Sequence, residues 1–130
     1  MVGQEHHDYA HSLEGLAALY MDMGKFDAAE PLYHKVVGIE EKVKGREHPD
    51  YAASLINQTI LYKKMGKYDQ AEALYQEALD IIKKALGEET PDYAQSLNNL
   101  GLFYDSMGEY GKAEPLLRRA LEIKERVLGQ

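Results

Sequence analysis

PDYAASLINQTILYKKMGKYDQAEALYQEAL, residues 49–79, has a copy on either side of it. HDYAHSLEGLAALYMDMGKFDAAEPLYHKVV occupies 7–37, and PDYAQSLNNLGLFYDSMGEYGKAEPLLRRAL occupies 91–121, each offset by 42 residues. Gly24, Gly66 and Gly108 align, as do Ala29, Ala71 and Ala113, and Gly45, Gly87 and Gly129 close the three copies. A fixed period of this length is the mark of a repeat architecture, in which each copy is one supersecondary unit. The units are expected at about 6–47, 48–89 and 90–130, within a single domain over 1–130.

Each unit reads as two helices. In the first unit, apolar residues at 13, 16, 17 and 20 keep a helical period. A glycine then follows Met23, as expected just past a helix end, where the chain must adopt a conformation that a Cβ disfavours. Ala29, Leu32, Tyr33, Val36, Ile39 and Val43 mark the second helix, which ends at Gly45. The link around Lys25 and Phe26 is short enough to force an antiparallel pair. A lone hairpin cannot cover its apolar faces, so neighbouring units must stack. Pro31 and Pro115 are expected within about a turn of the start of their helices, where missing N–H groups cost little.

Composition agrees with a helical chain and excludes several functions. The 130 residues are rich in Ala, Leu, Glu, Lys and Tyr, with only four prolines. Against 15 basic residues stand 22 acidic ones, a net charge of −7, so nucleic acid and anionic membrane surfaces are disfavoured as partners. No apolar run reaches the ~18 residues that span a bilayer, and the N-terminus shows no basic-then-apolar leader. With no cysteine, thiol catalysis and disulfides are excluded, and the reading leans to the cytoplasm.

Candidate chemical motifs mostly dissolve into the repeat. EHHDYAHSL, residues 5–13, sets His7 and His11 four apart with Asp8 beside them, a spacing that can hold zinc or nickel on a helix face. It aligns with EHPDYAASL and ETPDYAQSL, however, where Thr90 is a good N-cap, Pro91 suits the first helical position and Asp92 favours the positive helix end. By that alignment His6 and His48 sit at the cap position. EHHDYAHSL is then a helix start, and adventitious metal binding by His7 and His11 is the alternative to it. The ten tyrosines recur at 9/51/93, 20/62/104, 33/75 and 68/110, so they read as core packing with hydroxyls in water. Met23, Met65 and Met107 read as packing residues. Glu30, Glu72 and Glu114 recur as well, which suits solvated faces or inter-helix bonds better than a catalytic carboxylate. No P-loop, nucleophile elbow or HExxH is present. No enzyme activity, cofactor or resident metal is expected.

The pattern resembles the tetratricopeptide repeat (TPR) family across essentially the whole chain. The small residue at Ala17 and Gly101, the aromatic at Tyr20, Tyr62 and Tyr104, and the Ala29-type alanine carry the resemblance. The period exceeds the ~34 residues of the common repeat. With HPDYAASL, SLNNLG and AEPLYHKVV, it is similar to the kinesin-light-chain and nephrocystin-like subclass. The resemblance implies an all-α, right-handed α-solenoid of three antiparallel helix–turn–helix units, whose first helices line a concave groove for a protein or peptide ligand.

By the family's register that groove is lined by His11, Glu14, Ala18 and Asp22 in the first unit, with Gly15 among them. The second unit offers Ala53, Ile56, Asn57, Ile60, Lys63 and Lys64. The third offers Gln95, Asn98, Asn99, Leu102, Asp105 and Ser106. Asn57 and Asn99 stand where related domains grip a peptide backbone, since an amide both donates and accepts. The basic clamp that holds C-terminal carboxylates in chaperone-binding relatives is absent: Glu14, Ala18, Gln95 and Asn99 stand there. Kinesin-light-chain grooves accept acidic, tryptophan-bearing peptides through basic residues. Here only Lys63 and Lys64 supply positive charge, flanked by Asp22 and Asp105, a poor match to that ligand.

Two departures and the two ends complete the reading. Gln58 and Thr59 replace Leu100 and Gly101, so slightly looser packing is expected in the second unit, and Lys44 replaces Leu86 and Leu128, so the first unit's last turn should be more exposed. VGQ at 2–4 aligns with LGQ at 128–130, so the chain starts and stops in the same phase without a polar capping helix. The last helix should therefore expose part of a stripe of Leu116, Leu117, Leu121 and Leu128. A fragment of a longer array and an engineered unit both fit. In either case the open ends allow head-to-tail stacking of copies, the alternative to a peptide-binding scaffold.

Overall fold

The computed structural model describes residues 3 to 129, with side chains from His6 onward. Six helices follow one another: α1 (Gly3–Asp22), α2 (Phe26–Lys44), α3 (Pro49–Lys64), α4 (Tyr68–Leu86), α5 (Pro91–Ser106) and α6 (Tyr110–Leu128). No strand occurs among the described residues. α1 packs on α2, α3 on α4 and α5 on α6, and the three hairpins join through α2 against α3 and α4 against α5. This is an all-α helical-repeat solenoid, in which each hairpin packs on its neighbour.

The hairpin turns are built alike. Gly24, Gly66 and Gly108 take φ of 76°, 78° and 78°. The N–H after each glycine bonds back to the carbonyl of Tyr20, Tyr62 or Tyr104, at 2.8, 2.8 and 2.9 Å. The glycine N–H reaches the carbonyl three residues earlier, so helix-end carbonyls are satisfied in a Schellman turn. Elsewhere a missing side chain permits close packing. A Cβ on Gly101 would meet Leu117 Cδ2 at 2.7 Å and Cγ at 2.8 Å, so the Leu117 side chain fills the space that position 101 leaves bare.

Helix starts follow the expected chemistry in the second and third units. Thr90 Oγ1 accepts from the Tyr93 N–H at 3.2 Å, and His48 Nδ1 accepts from the Asp50 N–H at 3.0 Å. The first unit differs. α1 begins at Gly3, so His6 lies inside it and is not a cap, and Asp8 lies past the first turn. The cause is His7. A proline at 49 or 91 pushes the preceding residue out of the helical region, whereas histidine lets the helix run on towards the N-terminus. Val2 and Gln130, used in comparing the two ends, lie outside the described residues.

Other expectations change too. Pro31 and Pro115 are each the sixth residue of their helix, so each removes an interior hydrogen bond, to the carbonyls of Asp27 and Gly111. Both prolines are exposed. Lys44 does not mark a more exposed last turn, because Leu86 and Leu128 are exposed as well. Of the terminal stripe, Leu121 and Leu128 are exposed, while Leu116 and Leu117 pack partly against the core. Gln58 is buried but borders an open hollow of about 530 Å³ between α2 and α4, which gives its amide an outlet.

The tyrosines divide into three groups. Tyr33, Tyr51, Tyr62, Tyr93 and Tyr104 are buried; Tyr20 and Tyr75 pack partly against the core; Tyr9, Tyr68 and Tyr110 are exposed. The buried hydroxyls at 62 and 104 are not left to water. Tyr62 Oη lies 2.8 Å from His34 Nε2 and bonds the Glu30 carboxylate. Tyr104 donates to Glu72 and lies 3.4 Å from Gln76 Nε2. Glu30 and Glu72 are thus inter-unit hydrogen-bond acceptors. Burial first, and the neighbouring carboxylate second, push both phenols up to about 12. Met65 and Met107 pack against the core, whereas Met23 is exposed.

Candidate partner-binding surface

The residues singled out above all lie on α1, α3 and α5, and the structure sorts them by neighbourhood. His11, Glu14, Ala53 and Asn57 meet in one hollow of about 240 Å³ between α1 and α3. His7, Ala10, Glu40, Asp50 and Ser54 complete its lining. Lys63 and Ser106 line a different hollow, of about 530 Å³, with Tyr68, Asp69, Glu72, Met107, Glu109 and Lys112 at the turn end of the second and third hairpins. Asp105 borders a third, on the outer side of α6.

The remaining residues lie along the helices. Asp22 and Lys64 end α1 and α3 and are exposed, as are Ile60, Gln95 and Leu102. Ala18, Asn98 and Asn99 are half-buried, and Ile56 packs partly against the central core cluster. Gln95 Nε2 donates to Asn99 Oδ1 at 3.0 Å, so part of that amide's capacity is held within α5. Ser106 Oγ donates to the Phe103 carbonyl at 2.7 Å.

The hollow between α1 and α3 has a distinct electrostatic character. Burial raises the Glu14 carboxyl above the usual range; His11 and His7 oppose that rise and Glu40 adds to it. Glu40 Oε2 is buried and has no hydrogen-bond partner among the described residues. Asp50 is lowered, chiefly by its hydrogen bond from Lys44, and is therefore already paired. The arrangement is a pair of carboxylates beside two imidazoles and an amide, with Lys44 near enough to Glu40 to feel its charge. It supplies acceptors for a cationic or N–H-bearing ligand.

Glu40 and His7 were not among the residues expected at the groove. Glu40 comes from a second helix, which a register built on first helices overlooks. A signal was present: Ile82 occupies the same place one period later, and a carboxylate at a core position asks for an explanation. The His7 and His11 rings lie 6.5 Å apart, centroid to centroid, nearly parallel. Among the described residues, no group of three or more His, Cys, Asp or Glu is arranged to hold a metal ion. No helix among them is long and apolar enough to cross a membrane.

Stacked antiparallel hairpins with glycine turns and small residues at the closest crossings define a helical-repeat protein. The tetratricopeptide repeat model matches residues 8–84 and again 59–126, and the chain belongs to that family. Members of the family generally mediate protein–protein interaction and are generally not enzymes. No curated protein matches the chain in sequence. Among solved structures it is similar to BtubC (BKLC) from P. vanneervenii, with TM-score 0.80 and 28% identity over 93% of this chain. It is also similar to a Podosopora anserina protein of nearly identical TPR-like repeats, assigned as a kinesin light chain, with TM-score 0.76 and 28% identity over 90% of this chain. The chain spans 48% and 56% of the lengths of those two proteins. Its structural neighbours are thus kinesin-light-chain-like.

Proposed function

We propose that the chain is a non-catalytic interaction scaffold that holds a peptide or partner segment along the outward faces of α1, α3 and α5. The observation that carries this reading is the hollow between α1 and α3, which gathers His11, Glu14, Ala53 and Asn57 from two units into one place. Exposed Ile60 and Leu102 extend the same faces with apolar surface that solvent alone does not favour. Asn57 and Asn99 grip the segment's main chain. The Glu14 and Glu40 carboxylates favour a segment carrying lysine or arginine, and disfavour an acidic one.

A peptide-display selection on the purified chain, followed by fluorescence anisotropy of the recovered peptides, tests this. Recovered sequences should be basic, and the Asn57→Ala/Asn99→Ala double variant should bind them at least tenfold more weakly. Peptides that bind both forms equally would place the site elsewhere.

A further inference from the structure

The first and last helices present faces that the middle of the molecule buries. Leu61 on α3 is 0% exposed and Phe103 on α5 is 2% exposed, yet Leu19, at the same place on α1, is 53% exposed. Tyr9 and Leu16 follow the same rule. Their counterparts Tyr51, Tyr93, Gln58 and Leu100 are buried, and they themselves are exposed. α1 thus carries at Tyr9, Leu16 and Leu19 the counterparts of side chains that α3 and α5 bury, and on α1 they are exposed.

The matching socket lies at the other end. Leu61 sits in a buried cluster with Ala29 and Tyr33. Phe103 sits in the next such cluster with Ala71, its ring 5.1 Å from that of Tyr75. One period on, Ala113 and Leu117 line an open hollow of about 440 Å³ beside Tyr110 and Leu121. Its rim carries Glu114 and Arg118, which pair with each other at 3.8 Å. These are the counterparts of Glu30 and His34 around Tyr62, and of Glu72 and Gln76 around Tyr104. Knob, socket and polar latch therefore all exist on one chain, at opposite ends.

We propose that a second copy of this chain docks head to tail, laying its α1 across α6 in the register of the internal seams. Leu19 of the second copy enters the Ala113–Leu117 hollow, and Tyr20 of the second copy donates to Glu114. Continuity with the two interfaces inside the molecule is the argument for this occupant: the surface offered by α6 already has its complement on α1. The two faces differ, so the contact is heterologous and each docked copy offers a fresh socket. Assembly grows as a linear array.

Analytical ultracentrifugation of the full chain across micromolar to millimolar concentrations tests the proposal. Mass should rise with concentration past that of a dimer. Leu19→Glu removes the knob, and Leu121→Arg blocks the socket; both side chains are exposed, so helix content should stay unchanged, as should the melting temperature at concentrations low enough to keep the wild type monomeric. Each variant alone should be monomeric, while an equimolar mixture should form a dimer and nothing larger. Glu114→Ala, in the otherwise intact chain, should weaken association about tenfold. A wild-type monomer at every concentration, a dimer formed by either single variant alone, or a mixture that stays monomeric would each overturn the proposal. Dimerisation of a single variant would mean that like faces pair.

Discussion

At the first internal seam α3 meets α2 through Gln58, Leu61 and Tyr62; at the second, α5 meets α4 through Leu100, Phe103 and Tyr104. The helices cross alike, and the tyrosine latch is kept in both. The side chains around it are not. Glu14 and Glu40 flank the first seam where Ile56 and Ile82 flank the second, and His34 stands where Gln76 does. The apolar knob and the tyrosine–glutamate bond recur, while the chemistry beside them varies. Side chains beside the knob and latch, Gln58 against Leu100 among them, change from one seam to the other while both seams stay packed.

The knobs give the largest expected effects. Phe103→Ala should cost about 4 kcal/mol and Leu61→Ala about 3 kcal/mol, the range for emptying a buried aromatic or aliphatic site. Leu19→Ala, at the same repeat position without a neighbour, should cost under about 0.5 kcal/mol in the monomer. Urea unfolding of the three variants at low concentration checks this. Equal losses at all three positions would mean that the knob matters for its own hairpin and not for the seam.

The latch comes next. Tyr62→Phe and Tyr104→Phe each remove a hydrogen bond to a carboxylate, worth about 1.5 kcal/mol. The pH dependence follows from the raised phenols. Folding favours the neutral form, so this contribution is full below pH 10 and is lost as pH rises towards about 12. Stability measured from pH 9 to 12 should fall across that window in the wild type and fall less steeply in either variant. A steeper fall in Tyr104→Phe than in the wild type would assign the alkaline loss to other groups.

Much of this was legible in the sequence, for reasons that differ by residue. The turn glycines and the Ala29-type alanines could be read because each enforces a local geometry that few other residues allow. The hydroxyl partners of Tyr62 and Tyr104 were not legible, because those bonds cross from one hairpin to the next, 28 and 32 residues away. Pro31 is interior because α2 already starts at Phe26, ahead of the Ala29 position that marks it in the sequence, and α1 reaches back to Gly3 because a histidine at position 7 does not stop a helix as a proline does. At the candidate site, His11 and Asn57 follow from the family's register of first helices. Glu40 escaped that register because it reaches the hollow from the second helix of its hairpin.

Gln58→Leu turns the middle of the first seam into that of the second. Gln58 is buried beside Tyr62 and the open hollow, and no hydrogen bond holds its amide among the described residues. A leucine there should raise stability by about 1 kcal/mol, the transfer term for the apolar atoms gained. Thermal melts of this variant beside Leu100→Gln form the direct test. The gain at the first seam should be smaller than the loss at the second, because the first has an outlet for the polar group.

The smallest effect separates stacking from recognition. Glu14 is held above its usual range by burial, with Glu40 adding to the rise and His11 and His7 opposing it, so its ionisation works against folding at neutral pH. The sign follows: a carboxyl raised in the folded state contributes full stability below its unfolded value of 4.5 and loses that contribution as pH rises past its folded value. Glu14→Gln should therefore stabilise the chain slightly at pH 7 and not at pH 3, a difference that melts at the two pH values would resolve. Ile56→Gln, at the equivalent place in the second seam, replaces no charge and should destabilise at both. If Glu14→Gln instead lowers stability at pH 7, the carboxylate belongs to the packing of the seam. If it raises stability while weakening the binding of basic peptides, the first seam keeps its charge for a partner at a cost to its own fold.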